Sequence, residues 1–239
     1  MQHFFRIVIT SILLVSLGGL GICHAQNSKY QIIPKSSDGI GKLYMGREIS
    51  QVMGWQGAFW LERKERQKEE RTDLLLPLLN IVPGMVVADI GAGTGYFSKG
   101  LAQLVSSSGT VYAVDIQAEM VKMLAELVQQ SGLKQIKPLQ SSLTSLPLPR
   151  ASLDLAIMVD VYHELEYPDE VLGSLVESIK PGGRVVFVEY RAEDSQVPIK
   201  KLHKMSIAQI RLEAQQQGLI WERTENNLPW QHVVIFRKR

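Results

Sequence analysis

Asp89, Gly91, Gly93, Gly95 and Asp115 are the residues of this 239-residue chain whose types and spacing carry the most chemistry. Glycines at alternate positions let a backbone turn come close to a ligand, and the helix start that follows attracts negative charge. The Asp89 carboxylate, two residues ahead of the first glycine, works the other way. It repels a pyrophosphate and favours a ligand with positive charge, such as an ammonium or sulfonium. A dinucleotide turn would need its third glycine where Tyr96 stands, and the lysine of a phosphate loop is missing. Asp115 follows Gly95 by 20 residues, the spacing at which an acid accepts hydrogen bonds from both hydroxyls of a ribose.

These residues need particular elements to hold them. Residues 86–90 are a short, β-branched, almost wholly apolar run, as expected of a strand buried on both faces of a parallel sheet. The glycine turn and a helical pattern through Phe97, Leu101, Leu104 and Val105 come next, and residues 111–114 form a second strand that Asp115 closes. Strand, glycine-rich turn and helix open a nucleotide-binding βαβ unit.

Val87-Ala88-Asp89-Ile90-Gly91-Ala92-Gly93-Thr94-Gly95, followed by Val114-Asp115, resembles the first two motifs of class I S-adenosylmethionine-dependent methyltransferases. Residues 137–140 then stand as the third strand, 141–147 as the loop after it, 153–160 as the fourth strand, and 179–189 as the turn into the fifth. The resemblance spans roughly residues 74–239 and implies a Rossmann-like, doubly wound α/β fold. Its seven-stranded sheet is mostly parallel with an antiparallel last strand and helices on both faces; residues 220–224 and 232–236 complete the strand count. It implies S-adenosyl-L-methionine as cofactor, with Gly91, Gly93 and Gly95 along the methionine and ribose portions and Asp89 near the charged amino-acid end. Asp115 would hold the ribose and Ile116 cover the adenine. Ser142 stands where the family often has an acid on the adenine amine, which puts that contact in doubt.

Candidates for the reacting end lie at the carboxyl ends of strands, where open α/β sheets bind ligands. They are Asp160, Tyr162, His163 and Glu164 after the fourth strand, and Glu189, Tyr190 and Arg191 after the fifth. Methyl transfer from a sulfonium is an in-line displacement in which the enzyme mainly positions the acceptor, with a base needed only if the acceptor is protonated. His163 is the only histidine in such a loop, and a pKa of about 6.5 suits it to that proton. Tyr162 and Asp160 are the other catalytic candidates, and Asp160 is also placed to touch the cofactor; the alternative is that His163 merely starts the next helix. The Asn-Pro-Pro-Tyr of amino-group methyltransferases is replaced by Asp160-Val161-Tyr162-His163. The loops are similar to those of quinone-type and other small-molecule methyltransferases, so the expected acceptor is small or lipid-like. A nicotinamide-dependent oxidoreductase and a non-catalytic exported nucleoside- or S-adenosylmethionine-binding protein are the rivals.

The rest of the chain frames this domain. A net charge of +2, with no basic tract interleaved with aromatics, argues against nucleic acid, and a single cysteine excludes disulfide scaffolds and cysteine zinc sites; no metal ligands are expected. Residues 1–25 read as a signal peptide or N-terminal anchor, with Arg6 ahead of an uncharged stretch at 7–22 and a small-x-small exit at Cys23-His24-Ala25. Export is expected if it is cleaved, membrane contact through 7–22 if it is not, and a cytoplasmic chain if the start codon is misassigned. Residues 26–43 read as a linker and 44–73 as a helical arm, because Ile49, Val52, Met53, Gln56, Phe59 and Trp60 recur at helical spacing. Within the arm, 62–71 is almost wholly charged and is expected to be a solvated face. Pro77 should bend or end the helix that follows. Lys200, Lys201, His203 and Lys204 cluster in a late loop, solvated or set to bind an acidic acceptor.

Overall fold

The computed structural model describes residues 29–239, and residues 1–25, expected as a signal or anchor, lie outside them. The segment expected as a linker, and the first part of the helical arm, instead form a small antiparallel sheet. Its strands are β1 (Tyr30–Ile32), β2 (Gly39–Tyr44) and β3 (Arg47–Ser50), in that order across the sheet. Met45 and Gly46, with φ of 47° and 93°, make the two-residue turn between β2 and β3, the left-handed geometry that suits the twist of a hairpin. A polar strand is stable here because one face packs on the main domain: Tyr44, Ile49 and Ser50 are buried. Ile49 therefore belongs to a strand. Only the second half of the predicted helical period is helical, as a 3-10 turn at Trp55–Gly57 and α1 (Ala58–Leu61).

Two short helices, α2 (Arg66–Glu70) and α3 (Thr72–Leu78), meet at Arg71, whose φ of 49° breaks the helix between them. Pro77 sits in the last turn of α3, which ends one residue later.

The main domain alternates β4 (Val86–Ile90), α4 (Tyr96–Val105), β5 (Thr110–Asp115), α5 (Ala118–Ser131), β6 (Ile136–Gln140), β7 (Leu153–Val159), α6 (Pro168–Ser178), β8 (Ile179–Tyr190), α7 (Ile207–Gln216), β9 (Ile220–Glu225) and β10 (Gln231–Arg237). The seven strands lie in the order β6-β5-β4-β7-β8-β10-β9, and β10 alone runs against its neighbours. This is the doubly wound sheet expected from the motifs. Strand residues alternate between its faces. Val87, Val111, Leu155 and Val186 pack with Leu75 and Leu79, and with Phe97, Leu101 and Leu124, beneath α3, α4 and α5. Ala88, Val114, Met158 and Phe187 pack with Leu172, Leu175 and Ile210 beneath α6 and α7. From β4 the chain winds outward through β5 and β6, then returns to β7 and winds the other way. The ends of β4 and β7 thus flank the point where strand order reverses, where such sheets open a crevice for ligands.

Candidate functional site

A cavity of about 620 Å³ stands over that crevice. One side is built by the glycine turn and the loops after β5 and β6. The other is built by the loops after β7 and β8 together with the N-terminal arm.

On the first side, Gly91 ends β4 with φ 69°, and its N–H donates to the Val114 carbonyl at 2.8 Å. A Cβ there would run into the Val161 side chain, so the turn and the loop after β7 can close together only around glycine. Gly93 also lines the cavity. Gly95 does not: it precedes α4 with φ 87°, and a Cβ on it would meet Leu127 at 2.5 Å and Leu124 at 2.9 Å. Its place there is explained by the seating of α4 against α5.

The two acids stand beside this turn. Asp89 is 3% exposed and accepts a 2.6 Å hydrogen bond from the Ser98 hydroxyl. Burial pushes its carboxyl up to about 6, with the Ser98 bond and the Arg66 charge opposing. Asp115 joins β5 to the turn, accepting from Gly93 N–H through Oδ2 and from Gln117 N–H through Oδ1, each at 2.9 Å. Burial raises its carboxyl too, against those backbone bonds. Ile116, Met120, Leu143 and Leu146 continue the wall as an apolar surface, and Ser142 lines it while bonded to Ser145. An acid at the end of β5, an apolar surface beside it and a buried carboxyl ahead of the turn fit what the ribose, the adenine and the cationic centre of S-adenosylmethionine would need.

The reacting side separates the three catalytic candidates. Asp160, with φ 53°, is half-buried at the cavity wall and accepts from Gln231 Nε2 at 2.6 Å through Oδ2. Its Oδ1 has no hydrogen-bond partner among the described residues, and burial, followed by Glu70 and Glu189, holds the carboxyl well above its usual range. Tyr162 and His163 sit in a 3-10 turn, Tyr162–Glu164, in which adjacent side chains point about 120° apart. His163 faces the cavity. Tyr162 turns into the core, edge-on to Phe187 with ring centres 4.9 Å apart and Arg47 over its ring, so it is corrected from a catalytic to a packing residue.

His163 is held on both sides. Its Nδ1 meets Glu189 Oε2 at 2.5 Å, its backbone N–H donates to Glu189 Oε1, and its carbonyl accepts from Arg47 and Ser50 of β3. Burial disfavours the imidazolium, but Glu189 and then Glu164 outweigh it and the imidazole pKa rises. Nε2 points to His203 Nδ1, 3.2 Å away. His203 and Lys200, expected either solvated or acid-binding, are cavity residues paired with Asp38 of the small sheet's first loop.

The charged run is the largest departure from expectation. Arg66 and Glu70 are 5% and 1% exposed. Glu70 accepts from Arg63 Nη2 at 2.7 Å, Arg66 Nε at 2.8 Å and the Tyr190 hydroxyl at 3.0 Å, and all four residues line the cavity. Arg66 also stacks on Tyr96, 4.4 Å from its centre. One face of the run, Arg63, Arg66 and Glu70, is folded inward with its cations sharing one carboxylate, while Glu62, Lys64, Glu65, Gln67, Lys68 and Arg71 stay exposed as expected.

Residues 88–187 match the family described as a methyltransferase domain. The ubiquinone/menaquinone biosynthesis C-methyltransferase UbiE of Pseudomonas paraeruginosa is 28% identical over 121 residues, 50% of this chain and 47% of that protein. Its counterpart in Pseudoalteromonas translucida is 30% identical over 115 residues, 48% of this chain and 46% of that protein. The chain thus spans about half the length of the curated relatives it matches. Among solved structures, a SAM dependent methyltransferase from Aquifex aeolicus superposes with a TM-score of 0.74 at 25% identity, over 79% of this chain and 100% of that one. Matched segment, sheet order and the solved neighbour agree, and residues 88–187 form a methyltransferase domain of the class I, S-adenosylmethionine-dependent type.

Proposed function

We propose that this chain transfers the methyl group of S-adenosylmethionine to a small, largely apolar acceptor of the quinone or lipid type. The observation that carries this reading is that one continuous cavity joins the glycine turn and its acids to the polar loops after β7 and β8. The bound cofactor supplies an electrophilic methyl; what the chain supplies is placement. Asp115 and Ile116 hold the nucleoside, and Asp89 favours the cationic end. Asp160 and the His163 cluster present the acceptor's reacting atom, and the cluster takes the proton that an O–H or acidic C–H acceptor releases. Ile40, Val52, Leu165 and Ile199 leave the acceptor side apolar. Val52 and Trp60, half exposed at its edge, and the neighbouring exposed Phe59 give an apolar molecule a surface to approach. The UbiE relatives, whose name is that of a quinone C-methyltransferase, make quinone-type acceptors the first to screen.

Calorimetry with S-adenosylmethionine, followed by a methylation screen of phenolic and quinol acceptors, tests this. Saturable cofactor binding and a methylated product are expected. A folded protein that gives no heat at millimolar cofactor sinks the reading.

Cofactor affinity should also depend on pH. Below about 6 the Asp89 carboxyl is protonated, and a cationic ligand must expel that proton to bind. Apparent affinity is therefore expected to rise by up to about tenfold per unit as pH climbs from 5 to 6, and to level off by 7. In the free protein the sign is opposite: because the folded pKa is raised from 3.8, this group's stabilising contribution is lost as pH rises through about 6. Asp89→Asn should flatten the binding profile; a profile unchanged by that substitution removes Asp89 from the cofactor site.

We further infer that residues 1–25 direct export or anchor the chain. N-terminal sequencing of the mature protein checks this, and a soluble chain that keeps Met1 overturns it.

A further inference from the structure

We propose that His163, Glu164 and His203 bind one first-row divalent cation of the zinc class at the wall of the cavity. The inference goes beyond methyl transfer and does not rest on it. His163 Nε2, Glu164 Oε1 and His203 Nδ1 converge: the nitrogens are 3.2 Å apart, and Glu164 Oε1 lies 3.3 Å from His203 Nδ1 and 3.8 Å from His163 Nε2. Ligand atoms about 2.0–2.2 Å from a tetrahedral zinc are about 3.3 Å from one another, so a small contraction around an ion is all the geometry requires.

The surroundings are those of a metal centre rather than of three polar groups that happen to touch. Each histidine has a carboxylate on its far nitrogen: Glu189 Oε2 lies 2.5 Å from His163 Nδ1, and Asp38 Oδ2 lies 3.3 Å from His203 Nε2. Such outer carboxylates orient ligating imidazoles and raise their basicity. Glu164 is fixed as well, because its other oxygen accepts the Met53 N–H at 3.2 Å. The five residues come from four separate places in the chain: the loop before β2, the turn after β7, the end of β8 and the 3-10 turn Lys201–His203. All three ligand residues line the cavity, which leaves the remaining coordination positions facing the acceptor side. Two imidazoles and one carboxylate suit zinc or iron(II) rather than magnesium or calcium, and three protein ligands with an open position mark a catalytic site. A cation there would occupy the nitrogens that in the metal-free chain take the acceptor's proton, and would instead make an acceptor oxygen bound to it more acidic.

The test needs no cofactor. The full chain is stripped with a chelator and titrated with Co²⁺ alone, following its visible d–d absorption, and Zn²⁺ is then added in competition. One Co²⁺ per chain, displaced by Zn²⁺, is expected. His203→Ala and Glu164→Gln should each weaken Co²⁺ binding by tenfold or more, and Asp38→Asn, which keeps its size, by about tenfold through the outer shell. Circular dichroism and melting establish that each variant is folded. Absence of a Co²⁺ band in the folded parent chain overturns the proposal, and so does binding that His203→Ala and Glu164→Gln leave unchanged. S-adenosylmethionine calorimetry on the same stripped protein keeps the two hypotheses apart: cofactor binding without Co²⁺ binding defeats the metal site and leaves methyl transfer standing.

Discussion

Glu70→Ala is expected to lower the free energy of unfolding by about 3–5 kcal/mol, because it leaves two buried cations without their shared carboxylate. Arg63 and Arg66 keep side-chain exposures of only 10% and 6%, and Arg63 has one other acid, Glu69, 2.9 Å away. For a domain of this size that loss corresponds to roughly 6–20 °C in Tm. The Tyr190 hydroxyl, which donates to Glu70, would also lose its acceptor, with the desolvation cost of a buried donor left unpaired. Replacing Arg66 and Glu70 together, by Met and Leu, should recover much of the loss, because it is the orphaned charge and not the missing pair that costs most. Urea or thermal unfolding of the two variants decides the matter. A Glu70→Ala change below about 1 kcal/mol would mean that water reaches these groups and that the arm is not a sealed wall.

Asp115→Ala is expected to weaken S-adenosylmethionine binding by about 10–100-fold, the worth of hydrogen bonds to a charged acceptor. The effect has two parts. On the proposed reading the carboxylate accepts from the ribose hydroxyls, and it also ties Gly93 and Gln117 into place by their N–H groups. Asp115→Asn keeps one acceptor oxygen and so should fall between the parent and the alanine variant. Calorimetry of the three proteins measures this, and equal dissociation constants would remove Asp115 from the ribose site.

The main sheet was legible because its strands are β-branched, apolar and separated by helices of clear period, so pattern and structure agree from β4 to β10. Asp89, Asp115 and the glycine turn were legible for a related reason: local spacing alone brings them together. Gly95 shows the limit of that logic, since a positive φ before a helix is required whether or not a ligand is near. Three further features were not legible. β2 carries glycine, isoleucine, glycine and lysine in succession, and its hairpin turns through Met45-Gly46 where Asn-Gly would have announced it. The run at 62–71 has the composition of a solvated helix, and only the fold shows that α2 lies against Tyr96 and Tyr190. His203 follows His163 by 40 residues, a separation that no ligand-spacing pattern covers. In an α-helix as in a 3-10 turn adjacent side chains point about 100–120° apart, so Tyr162 and His163 had to part, and only the packing shows that it is Tyr162 that enters the core.

The small sheet made first is also the part whose partners arrive last. Arg47 pairs with Glu213, 166 residues later, and Tyr44 with Asp169, 125 residues later. At about 5–20 residues per second, the ribosome needs roughly 10–30 s to deliver Glu213 after Arg47 has been made. The His163 carbonyl and Asp169 arrive within that interval, but until they do the first hairpin has no partner among these, and a lone hairpin is marginal in water. The chamber is therefore finished only when the C-terminal helix folds back over its own beginning. Synthesis thus delivers the glycine turn and strands β4 to β8 before it delivers α7, β9 and β10, and a chain interrupted before α7 would carry every motif of the glycine turn without the helix that anchors the hairpin.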